Sequence, residues 1–220
     1  TFAVNPSLGI TAGVEMSTYT AEASFGSISK EYEEGTGRDR LKFLYSLKDF
    51  RETQNVTVFS VPVTARYSLP LGHGSTGFYA SGGFKFGFPV TAKADISPGT
   101  AMTSGYYYHE GVGYVNLPQH GFLNNVKLPD VSADTDLGFS AALTLETGLR
   151  FTLTGKIDLY TGLYFDYGLN SIQRTDSRHL LEYDASNESA FRYSSVLNTA
   201  LTDKINLLNV GLKVRISLKL

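Results

Sequence analysis

One pattern constrains this chain more than any other: strict two-residue alternation over long stretches, with every charge on the polar parity. In residues 136–153 the odd positions Leu137, Phe139, Ala141, Leu143, Leu145, Leu149, Phe151 and Leu153 are apolar. The even positions hold Asp136, Ser140, Thr144, Glu146 and Arg150. A helix needs apolar residues three and four apart, so this periodicity predicts a strand with two unlike faces.

The same alternation recurs along the chain. It sets Ile157, Leu159, Leu163, Phe165, Tyr167 and Leu169 against Asp158 and Asp166 within 157–170. It sets Phe59, Val61, Val63, Ala65, Tyr67 and Leu69 against Arg66 within 56–69, and Phe84, Phe86 and Phe88 against Lys85 within 78–92. Residues 7–18 carry Glu15 on the polar side, and residues 205–220 carry Lys213, Arg215 and Lys219 there, opposite Leu212 and Val214. Two fainter strands are expected at 20–30 and 40–48, the latter with Leu41, Phe43, Tyr45 and Leu47 in phase. The expected fold is all-β, one domain over residues 1–220: a closed antiparallel eight-stranded transmembrane barrel.

Loop lengths favour that expectation. Links 70–77 and 154–156 are short and rich in turn residues, whereas 93–135 and 171–204 are long. Compact soluble domains seldom contain loops of that length, but transmembrane barrels place short turns on one side and long loops on the other. The strands are also longer than the roughly 5–6 residues usual in globular proteins.

Composition narrows the function classes. A net charge of −2 with no basic block gives no electrostatic case for nucleic acid. The absence of cysteine excludes disulfides, thiolate metal sites and a lipid-bearing cysteine. Glycine, tyrosine and phenylalanine abound, tryptophan is missing, and no apolar run reaches the roughly 18 residues of a membrane helix. The start, TFAVNPSLGI, lacks a basic segment followed by an apolar one, so an export signal is expected to have been removed.

In lipid the apolar face must look outward and the charges inward. Phe84, Phe86, Phe88, Leu143, Leu145, Leu163, Phe165, Leu212 and Val214 are then lipid-facing. Glu15, Arg66, Lys85, Glu146, Arg150, Asp158, Asp166, Lys213 and Arg215 form an interior charge network, mixed in sign and flanked by small residues suited to a narrow barrel. Tyr19, Tyr67, Phe88, Phe139 and Tyr167 would supply interfacial aromatics. An interior filled by such pairs predicts a plugged barrel.

The stretches VFSVPVTARYSL and GFYASGGFKFGF, together with 136–170 and the terminal LLNVGLKVRISLKL, resemble the OmpA/OmpX-like outer-membrane β-barrel family. That resemblance implies an integral protein of a Gram-negative outer membrane, with extracellular loops and periplasmic termini. It implies a structural, anchoring or envelope-assembly role without catalysis or cofactor. The expected partners are outer-membrane lipid and other envelope proteins, or peptidoglycan through a further domain. Leu220 stands where the family ends on an aromatic, leaving room for a continuation.

Two other functions are compatible with the residues. TDSRHLLEYD (175–184) gathers Asp176, Ser177, His179, Glu182 and Asp184, a set that a lipid or peptide hydrolase at the rim could use; a solvated loop explains it more simply. A soluble lipocalin-like barrel would alternate in the same way around a ligand. His73, His109, His120 and His179 lack ligand spacing, which argues against a metal site. GYYYHEGVGY (105–114) reads equally as a recognition patch or as packing for the loop, and KEYEEG (30–35) as a solvated turn.

Overall fold

The computed structural model describes residues 2–72, 75–155, 157–174, 177–184 and 191–218. Among these residues it is all-β, with fourteen strands in two antiparallel sheets. The larger sheet contains β1 (Phe2–Ala3), β2 (Leu8–Ala12), β3 (Glu15–Glu34), β4 (Leu41–Pro70), β5 (Thr76–Ser97), β6 (Thr100–Tyr107), β7 (Val112–Val115), β8 (Val126–Lys127), β9 (Val131–Asp134), β10 (Ser140–Thr154), β11 (Ile157–Gly168) and β14 (Leu208–Leu218). The small sheet pairs β12 (Leu181–Tyr183) with β13 (Phe191–Tyr193).

The eight-stranded closed barrel is overturned. The main path runs β1-β2-β4-β5-β10-β11-β14 with β3 also on β4, and among the described residues no ladder joins β14 to β1, β2 or β3. Strand count fails for an identifiable reason. Segments 7–18 and 20–30 are one arm, as are 40–48 and 56–69. A single register carries that hairpin from Leu8↔Tyr67 through Glu15↔Ser60 to Glu34↔Leu41. The arm is interrupted only between β2 and β3, opposite Pro62, which has no N–H to give the ladder.

The wall is thus six long antiparallel strands: β2 with β3, then β4, β5, β10, β11 and β14. Three of these continue beyond it. Upper β3 and β4 form a hairpin closed by Gly35–Arg40, and β6 extends β5 along β4, with Ser97↔Arg51 followed by Thr100↔Lys48. Beside this ribbon the segment 93–135, expected as a loop, supplies β6, β7, β8 and β9. Residues 177–184 and 191–201 pack over it, and together they make a head above the wall.

The head has an ordinary apolar core. Leu41, Phe43, Tyr45, Leu47 and Phe50 of β4 are buried with Ile96, Phe122, Leu180, Leu181 and Tyr183. Phe122 lies over Gly105, where a Cβ would come within 2.5 Å of its ring, so only glycine fits. Residues 105–114 join this packing: Tyr107 and Tyr114 meet edge to face at 5.6 Å, and Tyr114 stacks on Phe122. KEYEEG is strand rather than turn, with Glu31 paired to Lys42 at 2.7 Å and Glu33 to Arg40 at 2.6 Å across the hairpin.

Candidate functional site

The site with the most chemistry is the inner face of the wall. Alternation sends one parity of each strand to that face. Antiparallel register then aligns the polar positions of neighbouring strands, as in Lys85↔Ala142 and Glu146↔Tyr164↔Gly211.

The structure brings most of the expected charges together. Lys85 Nζ lies 2.6 Å from both Asp166 Oδ2 and Glu15 Oε2. Lys213 Nζ bridges Glu15 at 2.9 Å and Glu146 at 3.3 Å. Arg215 pairs with the same Glu146, whose Oε1 also accepts from the Tyr79 hydroxyl at 2.8 Å. Tyr79 is fully buried, and a Cβ on Gly162 would come within 2.7 Å of its hydroxyl and closer still to the Thr147 carbonyl, so glycine leaves the room there. Asp158 accepts from Thr152 Oγ1 at 2.8 Å. Arg66 and Arg215 both lie by the Tyr160 ring, at 4.9 and 5.4 Å from its centroid, a cation–π arrangement. Arg150 stands apart from the ion pairs, its Nε buried without a hydrogen-bond partner. Lys219 lies outside the described residues.

The cluster joins strands at opposite ends of the path. Glu15 belongs to β3 and Lys213 to β14, so their 2.9 Å bridge holds together two edges that share no backbone ladder among the described residues. A half-satisfied set of buried charges would be costly, and here each carboxylate of the central group has at least one cation.

Above the charges the interior changes character. Val56, Val58, Leu137 and Ile172 form a buried apolar layer, with Tyr19 packed against it from the inside. Tyr19 is therefore an inner residue, not part of an outer aromatic rim. Above that layer sits Glu52, which is 2% exposed and was not expected from sequence. It accepts from Ser195 Oγ at 2.5 Å, Val196 N–H at 2.9 Å and Gln54 Nε2 at 2.8 Å. A carboxylate on the first amide of the 3-10 turn Val196–Asn198 ties this turn to β4. Nothing in the local sequence of Glu52 marks it, since Ser195 and Val196, the partners that bury it, are more than a hundred residues away.

The outer face is apolar and open. Phe84, Phe86, Phe88, Leu145, Leu163, Phe165, Leu212 and Val214 are all exposed, Leu212 to 82%, and Leu143 is half-buried beside them. Phe139 stacks near Phe86 and Phe88 at 6.1 and 5.4 Å. The apolar band ends at one level: on β4 it stops at Phe59 and gives way to Thr57, Asn55 and Thr53. On β5 the partner of Thr57 is Thr91, just past Val90, and on β3 it is Thr18, just past Met16.

The rim set is arranged otherwise than a hydrolase needs. The His179 imidazole stacks on Tyr32 at 4.0 Å, and Glu182 accepts from the His179 backbone N–H at 3.2 Å. Asp176 lies outside the described residues, as does His73. Among the described residues no group of three or more His, Asp or Glu is placed to hold a metal ion. No family model, curated protein or solved structure matches the chain.

Proposed function

We propose that this is a non-enzymatic integral membrane protein, embedded through its six-stranded wall in a Gram-negative outer membrane, where it anchors the β-rich head at the surface. The observation that carries this reading is the exposed apolar belt with a common upper limit on three neighbouring strands. Water-soluble monomers rarely expose contiguous apolar patches beyond a few hundred Å². From Phe59 to Leu69 the belt spans roughly 34 Å along β4, or about 24 Å when tilted by about 45°, near the height of a lipid-facing band. The inverse arrangement of charges supports it, since inward-facing ions avoid hydrocarbon. The free edges of β3 and β14 carry the largest cost in lipid, and the Glu15–Lys213 bridge keeps them one ion pair apart. A structural or envelope-assembly role fits an interior filled by ion pairs and capped by the Val58 layer.

The chain has no cysteine, so single cysteines placed at Phe59, Phe86, Phe165 and Leu212 can each carry one spin label. In reconstituted vesicles these should be relaxed by oxygen and shielded from a water-soluble nickel chelate. Labels at Thr53 and Lys93 should show the reverse. Equal access of the chelate to both groups would sink the proposal.

A further inference from the structure

Among the described residues of the wall, Arg66, Lys85, Arg150, Lys213 and Arg215 face Glu15, Glu146, Asp158 and Asp166 on the inner side, and the two arginines without a carboxylate in contact lie at one end. Glu15, Glu146 and Asp166 are committed to Lys85, Lys213 and Arg215. Arg66 and Arg150 have no carboxylate partner among the described residues, and the Nε of each is buried without a hydrogen bond. Arg66 is 7% exposed. Asp158, two positions along β11 from Tyr160, is itself buried and hydrogen-bonded to Thr152. A guanidinium at the depth of Arg66, with the Tyr160 ring beside it but no carboxylate in contact, is unfavourable unless an anion reaches it.

Both arginines line one cavity of about 130 Å³ at the short-turn end of the wall, together with Asn5, Ser7, Ser68 and Tyr160. The backbone there is held in shape by an Asx turn: Asn5 Oδ1 accepts from the N–H groups of Ser7 and Leu8 at 2.9 and 2.8 Å. A volume of this size corresponds to about four waters of liquid, enough for one tetrahedral oxyanion. Guanidinium forks match such oxyanions in pairs of hydrogen bonds, and hydroxyl and amide donors complete the shell.

We infer that this cavity is a binding site for a phosphate group, held between Arg66 and Arg150. The inference rests on the inner face alone and stands whether or not the outer face meets lipid. The phosphate comes either from solution or from the headgroup of a phosphate monoester lipid, and both present the same dianionic group.

The test uses the full chain folded in a maltoside detergent without phosphate. Inorganic phosphate, titrated against chloride at matched ionic strength, should raise the Tm saturably, as a ligand bound only by the folded state does. Phosphatidic acid doped into the micelles, against phosphatidylcholine, forms the second arm. Arg66→Lys and Arg150→Lys keep the inner charge and so preserve the fold, but lose the fork; each should weaken the response about tenfold, and Arg66→Gln with Arg150→Gln should abolish it. Arg51→Gln, on the outer face of β4, should leave it unchanged. A response to inorganic phosphate that the variants lose identifies a soluble ligand, and one confined to phosphatidic acid identifies a lipid headgroup. No response in either arm, or one that persists in the double Gln variant, overturns the inference.

Discussion

The wall and the head share three strands but bury opposite kinds of face. In the wall, β4 shows Phe59, Val63 and Leu69 to the outside and turns Arg66 and Ser60 inward. In the head, the same strand turns Leu41, Phe43, Tyr45 and Leu47 inward and leaves Lys48 and Asp49 outside. The change has a precise location. At Asp49, with φ 59°, and at Gly26 opposite, the alternation skips one position, so that Leu47 and Phe50 both point inward. On β5 a bulge at Val90 does the same where the outer belt ends. Two-residue alternation therefore specifies a two-faced strand, while the surroundings decide which face is the inside.

The comparison breaks most readily in the centre of each half. Phe43→Ala opens a cavity in the head core and should cost about 3–5 kcal/mol there. Limited proteolysis should then cut within residues 177–201 while the wall fragment stays intact. If both halves unfold together, the head is not an independent core. Lys85→Met is the counterpart below, stranding Asp166 and leaving Glu15 only Lys213, and should cost about 3–5 kcal/mol in urea unfolding. Adding Glu15→Gln and Asp166→Asn should recover most of that loss. A triple variant no better than Lys85→Met would show that the ions are not a coupled unit.

A smaller change sharpens the boundary between the halves. Glu52→Gln weakens the acceptor that holds Ser195 and Val196, and should cost about 1–3 kcal/mol. Amide exchange at Val196 and Leu197 should accelerate, with exchange on β10 and β11 unchanged.

The smallest effects are those of pH, and they fall on the head. Burial pushes the Tyr45 hydroxyl up to about 12, and burial raises Tyr32 as well. A raised value means the folded head favours the neutral phenols; that stabilisation is whole below about pH 10 and is lost as pH climbs toward 12. At the hairpin tip, hydrogen bonds from Arg40 and Tyr108 hold the Glu33 carboxyl below its usual range. Its contribution is present above the ordinary carboxylate value and disappears as pH falls through the lowered one. Near-ultraviolet dichroism should report a head transition above pH 10; its absence would place Tyr32 and Tyr45 in contact with water.

Much of the wall was legible in the sequence, because a face that must avoid one solvent writes itself into every second residue. Strand type and the sorting of residues between two unlike faces follow from local alternation. So does the expectation that Lys85 stands among carboxylates, since each neighbouring strand places its acids on the same parity. The number of strands did not follow. Leu41–Leu47 and Phe59–Leu69 share a parity, yet the first set is buried and the second exposed, and only the kink at Asp49 makes them one strand. A single positive-φ aspartate is invisible to a periodicity argument.

What the sequence determined alone was therefore the two-faced character of each strand, which rests on geometry within a few residues. Where strands merge, the lack of a ladder from β14 back to β1, β2 or β3 among the described residues, and the folding of 93–135 into a head are tertiary outcomes. The tertiary structure also decided which ions pair and which two arginines do not. Those outcomes depend on contacts between residues distant in the chain, as between Glu52 and Ser195 or Glu15 and Lys213. Their energies exist only once the backbone has brought the partners within a few ångströms.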